Sequence, residues 1–528
     1  MKQRIESNAY SKPLSFSTTM RNPNRIASFI NCLLPYENKI LTNDIIMEIV
    51  EKIIGNKLYR PLYVGRTLNI KNVFDSDDVE LTKAQINEII VNSPQNHKEA
   101  GFDKGWPSRF DTWFKLPMEF GFICYEMNKP IQITNVGHML IDAINEKPIN
   151  EYKIQNIFLN SMIKYQIPNP FRKNANKNNP LLLLLNVIKL LKEDVTQNDA
   201  GIFKQELSLF ICWKNNNAEE LYKYIVDLRK QKGFNYSDEF IFDKCLDLLG
   251  VTERPQIRFK ISQICGEAVD EYIRKMRTTG IISLRGNGRF LDYNSFEKEK
   301  IDYIINNYGK LVEFADKSDY LKYVGEIDNK ILEFKETESN IQDDVKLKKL
   351  NELAETYNED TIIKELIILT DRKTESKDKL FRYIPAPTRL EFLTSIVLKQ
   401  KLKNVEILPN YSVDDEGLPT FTASGNKSDI VCKNLEMDSL VEVTLMCGAK
   451  DQVHNEIIPI ARHLAEYIKQ NAKSTFSIFI APVIHEDTKN SAEWIGMKNN
   501  VLIIPYNIVE FLEKLKGVSE LAEFSKVI

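Results

Sequence analysis

The feature that most constrains this chain is a change of hydrophobic period near Tyr383. Before it, apolar residues recur at helical spacing. After it, short apolar runs alternate with helix-length segments, and runs that short fit strands. Strands are expected at Val405–Leu408, Asp429–Cys432, Leu440–Thr444, Phe476–Ala481 and Val501–Pro505, with helices over Arg389–Leu402 and Glu456–Gln470 and from about Ile508. This alternation describes a compact α/β domain over residues 383–528, a common domain size. The full 528 residues are too many for one ordinary domain, so the upstream part must fold separately.

Upstream of Tyr383, the helix-spaced apolar set Ile26, Phe29, Ile30, Leu33 and Leu34 opens the first segment. The block from Gly105 to Lys115 then leads to a helix end at Phe120-Gly121. A hairpin follows, with strands Phe122–Tyr125 and Ile131–Thr134 joined through Asn128-Lys129-Pro130. The same grammar recurs near 260–292: a helix carrying Arg274, Lys275 and Arg277, then Ile281–Leu284, a tight Arg285-Gly286-Asn287-Gly288-Arg289 turn, and Phe290-Leu291. Glycine supplies the positive φ such a turn needs. Helices followed by a two-stranded wing describe a winged helix-turn-helix. The stretch Pro180–Lys230 reads as all helical, and residues 300–378, rich in Glu, Lys and Asp, read as helical connectors with a solvated charged face.

The fold class expected is therefore multidomain α+β. Winged-helix elements occupy residues 1–165 and 166–300, a helical linker runs over 301–382, and the α/β domain covers 383–528. The net charge is −3, but Lys+Arg minus Asp+Glu is +6 over residues 1–300, −6 over 301–379 and −3 over 380–528. A basic front with an acidic back suits a polyanion reader followed by an oxygen-ligand metal site. Arg21, Arg25, Arg109, Lys115, Arg274, Arg277, Arg285 and Arg289 are the candidate contacts to DNA, because arginine bridges guanine O6 and N7 while lysine meets phosphate as a point charge. The seven cysteines are scattered with no Cys-x-x-Cys pair, so neither a disulfide framework nor a zinc knuckle is indicated. The longest apolar runs, such as Leu181–Leu185, fall far short of the roughly 20 residues of a membrane span. With no secretory leader at Met1–Asn8, a cytoplasmic location is expected.

In the last domain, Asp429 opens the strand Asp429–Cys432, and Glu442 lies 13 residues later in Val441-Glu442-Val443-Thr444. Paired strands would set these carboxylates side by side at one end of a sheet, where they can hold a hard divalent cation. The pattern resembles the PD-(D/E)xK nuclease signature, with Ser428 at the usual Pro position and Thr444 at the usual Lys position. Lys427 and Lys450 are the nearest basic residues to replace that lysine. Glu456 and His463, seven residues apart, share a helix face. Glu391, on the preceding helix, is a further acid for the same cluster.

Together these motifs resemble the AlwI family of type IIS restriction endonucleases and their nicking relatives. The resemblance runs over the whole chain: Ser17 to Pro23, the Arg109-Phe110 to Gly121-Phe122 block, Tyr165 to Pro170, Asn179 to Leu182, Gly425 to Asp429, Glu442-Val443-Thr444, Arg462-His463 and Phe479 to Pro482. The family motif also ends in Thr. The resemblance implies Asp429, Glu442 and Glu456 as metal-binding and catalytic acids, with Glu391 and His463 as accessory catalytic positions. It implies Mg²⁺ as cofactor, a short asymmetric double-stranded target, and hydrolysis a few base pairs to one side. The implied partners are a second catalytic subunit or transient dimer and a cognate DNA methyltransferase acting in the same system. A strand-specific nicking enzyme and a non-catalytic winged-helix regulator are the two alternatives.

Overall fold

The computed structural model describes residues 13–14, 16, 24–76, 78–147, 149–171, 176–251, 259–371, 374–425, 427–471 and 473–525. The chain forms two compact units. The first comprises Met1–Leu58 with Pro94–Glu336, and the second Tyr59–Ser93 with Thr337–Ile528. The boundaries expected at 165/166 and 300/301 fall inside the first unit. The segment 59–93, assigned by sequence to the N-terminal domain, packs instead with the C-terminal one.

In the first unit, helix Trp106–Glu119 buries Phe110, Trp113 and Phe114. These rings form an aromatic core with Phe29, Phe102 and Tyr125. The helix ends at Gly121, whose φ is +79°, and strands β1 (Ile123–Cys124) and β2 (Gln132–Ile133) then pair antiparallel. Thr134 closes the hairpin and caps the next helix, Asn135–Asn145, accepting the Gly137 N–H at 3.1 Å. Gly137 is obligatory there, because a Cβ would stand 2.1 Å from the Phe122 carbonyl oxygen.

A second sheet joins β3 (Ile202–Phe203), β4 (Ile282–Arg285) and β5 (Phe290–Tyr293) in the order β3-β5-β4. The β4–β5 hairpin turns through Gly286, Asn287 and Gly288, all at positive φ, as the glycines in the sequence require. Strand β3 corrects the all-helical reading of Pro180–Lys230. Two residues of strand carry too little periodicity to register. They are held by Gly201, where a Cβ would meet the Leu291 carbonyl at 2.2 Å, and by the buried Arg229–Glu206 pair. Arg229 also donates to the Gly201 carbonyl at 2.7 Å.

The charged stretch upstream of Tyr383 also differs from its solvated reading. Helix Ser339–Thr356 belongs to the second unit and buries Leu350, Leu353 and the stems of Lys346 and Lys349. Lys346 donates to the Pro409 carbonyl at 3.1 Å. A lysine stem covers apolar surface while its ammonium finds an oxygen, which a charge count does not reveal.

The second unit is built on a five-stranded sheet. Short β7 (Ser412–Val413) and β8 (Pro419–Phe421) pair aside from it, while β6 (Glu406–Pro409), β9 (Ile430–Lys433), β10 (Met437–Val443), β11 (Ser474–Ala481) and β12 (Ile503–Asn507) lie in the order β12-β11-β10-β9-β6. Strands β10, β11 and β12 run parallel to one another, whereas β9 is antiparallel to both β10 and β6. Parallel strands need helical crossovers, supplied here by Ile458–Asn471 and Glu486–Asn499. Leu440, Phe479 and Ile503 on the sheet pack with Ile457, Ile460, Ala461, Leu464 and Ala492 from those helices. Helix Ala386–Lys401, buried along most of its length, packs against Ser339–Thr356 and Glu359–Ile368.

Candidate active site

Side chains alternate across a strand, so Glu442 shares a face of β10 with Leu440 and points toward the helical layer that contains Ile457. Asp429 stands just before β9, one step beyond the Val441–Ile430 pair that ends the β9–β10 ladder. Its backbone N–H donates to Glu442 Oε2 at 3.3 Å, and its own carboxylate accepts the Val443 N–H at 2.7 Å. The mouth of the sheet is thus closed by side chains in place of ladder bonds.

The helical segment behind β10 starts at Ala449, earlier than the sequence suggested, and widens into a π-helical turn over Val453–Ile457 before Ile458–Asn471. The cause lies in Pro459. It has no N–H to give the Asn455 carbonyl and its ring crowds that oxygen, so the ladder loosens just upstream. Glu456 sits on this bulge, and the Thr444 side chain favours its charged form. Thr444 is itself fixed: its N–H donates to the Ile480 carbonyl at 2.9 Å and its hydroxyl oxygen accepts the Met446 N–H at 3.2 Å.

The three acids feel one another. Burial pushes the Asp429 carboxyl up to about 7, opposed by the Val443 N–H and reinforced by the charge of Glu456. Glu442 is raised well above the carboxylate range, first by burial and then by Asp429 and Glu456. Burial likewise takes Glu456 to about 7, with the Thr444 hydroxyl acting the other way. Three carboxylates that raise one another's pKa, Glu442 buried and Asp429 and Glu456 half-buried, are the arrangement a cation relieves.

Glu442 Oε1 is buried and has no hydrogen-bond partner among the described residues, leaving one carboxylate oxygen for a hard cation. Among the described residues, no three His, Cys, Asp or Glu side chains stand as a finished cage. The fit therefore rests on charge and on the orphaned oxygen. Carboxylate oxygen is the donor magnesium takes, with water completing its shell.

The accessory positions have contacts of their own. Glu391 is buried, accepts the Ala423 N–H at 3.0 Å and adds its charge to the buried Tyr411 hydroxyl. His463 lies against Arg462, 3.4 Å from its guanidinium; burial lowers its pKa, Arg462 adds to that, and Glu466 opposes it. Lys427 is exposed, as is Lys450. Sequence reading passed over Gln452, a fully buried amide that donates to the Met446 and Val483 carbonyls at 2.9 and 2.7 Å and accepts the Thr488 hydroxyl at 2.8 Å.

The arginines of the first unit separate by what they already hold. Arg21, with the Ser17–Pro23 block, lies outside the described residues. Arg25 is exposed, donates to the Leu58 carbonyl and lies 5.9 Å from the Phe29 ring. Arg109 donates to Gln95 Oε1 at 2.8 Å, and Lys115 stands 3.7 Å from Glu99. Arg274 and Arg277 are half-buried on helix Ala268–Thr278. Arg285 is committed inward, to Asp292 Oδ2 at 2.7 Å and the Tyr293 carbonyl at 2.9 Å. Arg289 is exposed at the hairpin tip, 5.7 Å from the Phe290 ring. Among the described residues, no helix is long and apolar enough to cross a membrane.

The family model described as AlwI restriction endonuclease matches residues 118–370 and 321–513. No curated protein matches the chain. Among solved structures, the small subunit (R.BspD6I2) of the heterodimeric restriction endonuclease R.BspD6I is 25% identical over 30% of this chain and 77% of that one, with a TM-score of 0.25. Restriction endonuclease FokI is 11% identical, covering 97% of this chain and 98% of that one, with a TM-score of 0.27. FokI bound to DNA is also 11% identical at a TM-score of 0.27, over 98% of this chain and 97% of that one.

Proposed function

The chain belongs to the AlwI restriction endonuclease family, and from that premise we propose that it is a magnesium-dependent type IIS enzyme whose nuclease domain follows the PD-(D/E)xK pattern with Thr444 at the lysine position. The observation that carries this reading is the trio Asp429, Glu442 and Glu456, with Glu442 buried and the other two half-buried, all raised in pKa, and with Glu442 Oε1 unpartnered among the described residues.

Asp429 and Glu442 would hold the cation, with the Val443 carbonyl and Glu456 as further oxygen donors. A bound magnesium ion would supply positive charge to the scissile phosphate and lower the pKa of the attacking water. The rest is work for the chain's own groups. The Val443 N–H orients the Asp429 carboxylate, and the Thr444 side chain favours the charged form of Glu456 against the effect of burial. Glu456 is then available to orient the attacking water. His463 is assigned to the phosphate backbone near the cut and Glu391 to support of the loop at Ala423. The two hairpins that follow helices in the first unit act as wings of winged-helix elements, with Arg289 at the tip of the second meeting DNA. Cleavage falls to one side of a short asymmetric site because reading and cutting reside in different units.

The test uses supercoiled plasmid, purified protein and Mg²⁺, with EDTA as control. Linear product with ends at a fixed offset from a recurring sequence supports the reading. Open circles only would make the enzyme a nickase acting without a paired second subunit, and unchanged plasmid at any divalent ion would end the proposal.

A further inference from the structure

The loop between Thr444 and Ala449 joins the strand that carries Glu442 to the helical segment that carries Glu456, and most of its ties are local. Gln452 donates to the Met446 carbonyl, and His485 Nε2 lies 2.7 Å from the Cys447 carbonyl oxygen. One tie comes from far away in sequence. The Asp78 carboxylate accepts the Ala449 N–H on Oδ2 at 2.5 Å and the Lys450 N–H on Oδ1 at 2.8 Å. The first N–H groups of a helix have no acceptor within the helix, so a carboxylate bridging two of them fixes the direction in which the helix sets out. Asp78 belongs to the segment 59–93, which packs in the same unit.

That segment is stiffened by its own bonds. Arg60 and Lys71 both pair with Asp75, the latter at 3.0 Å, Tyr63 donates to Glu88 at 2.7 Å, and Thr82 with Gln85 forms a capping box on helix Lys83–Val91. Val64, Ile70, Phe74, Ile89 and Ile90 are buried beneath it. A built platform therefore presents one carboxylate to the start of the helical segment bearing Glu456, and the π-helical turn at Val453–Ile457 leaves that segment dependent on its ends for alignment.

We propose that Asp78 is a positioning residue for cleavage: by holding the Ala449 and Lys450 N–H groups it sets where Glu456 stands relative to Asp429 and Glu442. The proposal rests on the reading of Glu456 as an acid of the cation site. It also gives the excursion 59–93 a purpose: it brings Asp78 to the loop that arranges the acids.

The experiment compares Asp78→Ala, Asp78→Asn and Glu456→Gln in the full-length chain. Three quantities are measured: Mn²⁺ affinity by electron paramagnetic resonance, amide hydrogen exchange over residues 446–456, and cleavage rate against Mg²⁺ concentration. In Asp78→Ala the Ala449 and Lys450 amides should exchange faster, and Mn²⁺ affinity should fall about tenfold, as for lost supports of metal ligands elsewhere. Extra Mg²⁺ should restore most of the rate, and specific DNA binding should be unchanged. Asp78→Asn keeps one acceptor oxygen and should recover most of the affinity, which a general folding defect would not predict. Wild-type Mn²⁺ affinity and Mg²⁺ dependence in Asp78→Ala, beside an impaired Glu456→Gln, would overturn the positioning role alone. An unimpaired Glu456→Gln would instead remove the underlying reading, and the proposal with it.

Discussion

The Asp429 N–H donates to Glu442 Oε2 at 3.3 Å across the mouth of the β9–β10 pair. Two acids that repel each other are thus joined through the backbone of one and the carboxylate of the other, with Val443 returning a bond to the Asp429 side chain at 2.7 Å. The geometry holds both carboxylates at one end of the sheet.

The first prediction follows directly. Asp429→Ala and Glu442→Ala should each lower cleavage on the order of 1,000-fold, the loss expected when a main source of transition-state charge stabilisation is removed. Binding to the target duplex, measured by gel shift, should stay within a few-fold of wild type because recognition is assigned to the first unit. Near wild-type cleavage by either variant would end the assignment of the acids.

The second prediction concerns the metal-free protein. The folded-state pKa values of Asp429 and Glu456 are raised to about 7, and that of Glu442 is raised as well, mainly by burial. A raised carboxyl means that the folded state binds more protons than the unfolded one, so stability falls as pH climbs from the unfolded values near 4 through about 7. In EDTA, the Tm of the chain should be lower at pH 8 than at pH 5.5. Mg²⁺ should raise Tm more at pH 8, where the trio is charged, than at pH 5.5. Equal Mg²⁺ shifts at the two pH values would show that the ion does not bind these acids.

Thr444 carries the third. Its side chain favours the charged form of Glu456 and its hydroxyl accepts the Met446 N–H at 3.2 Å, whereas Thr444→Val keeps shape and β-branching. If the cation supplies most of the compensating charge, cleavage at saturating Mg²⁺ should fall by less than about tenfold, or 1.4 kcal/mol of barrier. A loss well beyond 100-fold in a folded variant would assign the hydroxyl a direct part in placing the attacking water.

Much of the site was legible because Asp429 and Glu442 lie on strands whose apolar residues announce themselves, and the partners of those strands are near in sequence. Strands β6, β9, β10, β11 and β12 all fall within two or three residues of the expected runs. What stayed hidden was long-range or backbone-driven. The Asp78 contact spans 371 residues. Strand β3 is two residues long and depends on a glycine that lets chains approach. The π-helical turn under Glu456 comes from a proline three residues further on, and it changes the phase on which the shared face of Glu456 and His463 was inferred. Nor could the sequence show that Arg285, a candidate DNA contact, directs its guanidinium to Asp292.

That contrast supplies the last prediction, on the two arginines flanking the β4–β5 turn. Asp292 is almost fully buried and is held by Arg285 at 2.7 Å and Lys192 at 2.9 Å. Arg285→Ala removes one of the two cations that hold a buried carboxylate, which also accepts the Tyr293 N–H, and takes a donor from the Tyr293 carbonyl, so it should destabilise the protein. Lys192 remains, which places the cost at about 1–2 kcal/mol, below the roughly 3–5 kcal/mol for a buried charge left wholly unpaired. Arg289 is exposed against aromatic rings, and Arg289→Ala should change stability by less than about 0.5 kcal/mol. If it meets a DNA phosphate, its loss should weaken binding to target and random duplex alike and make the salt dependence shallower by close to one unit. If it reads a base, target binding alone should weaken, by about 1–3 kcal/mol. Denaturation curves and duplex titrations at several salt concentrations separate these outcomes. An Arg289→Ala protein that binds both duplexes like wild type would take the hairpin tip out of the DNA interface.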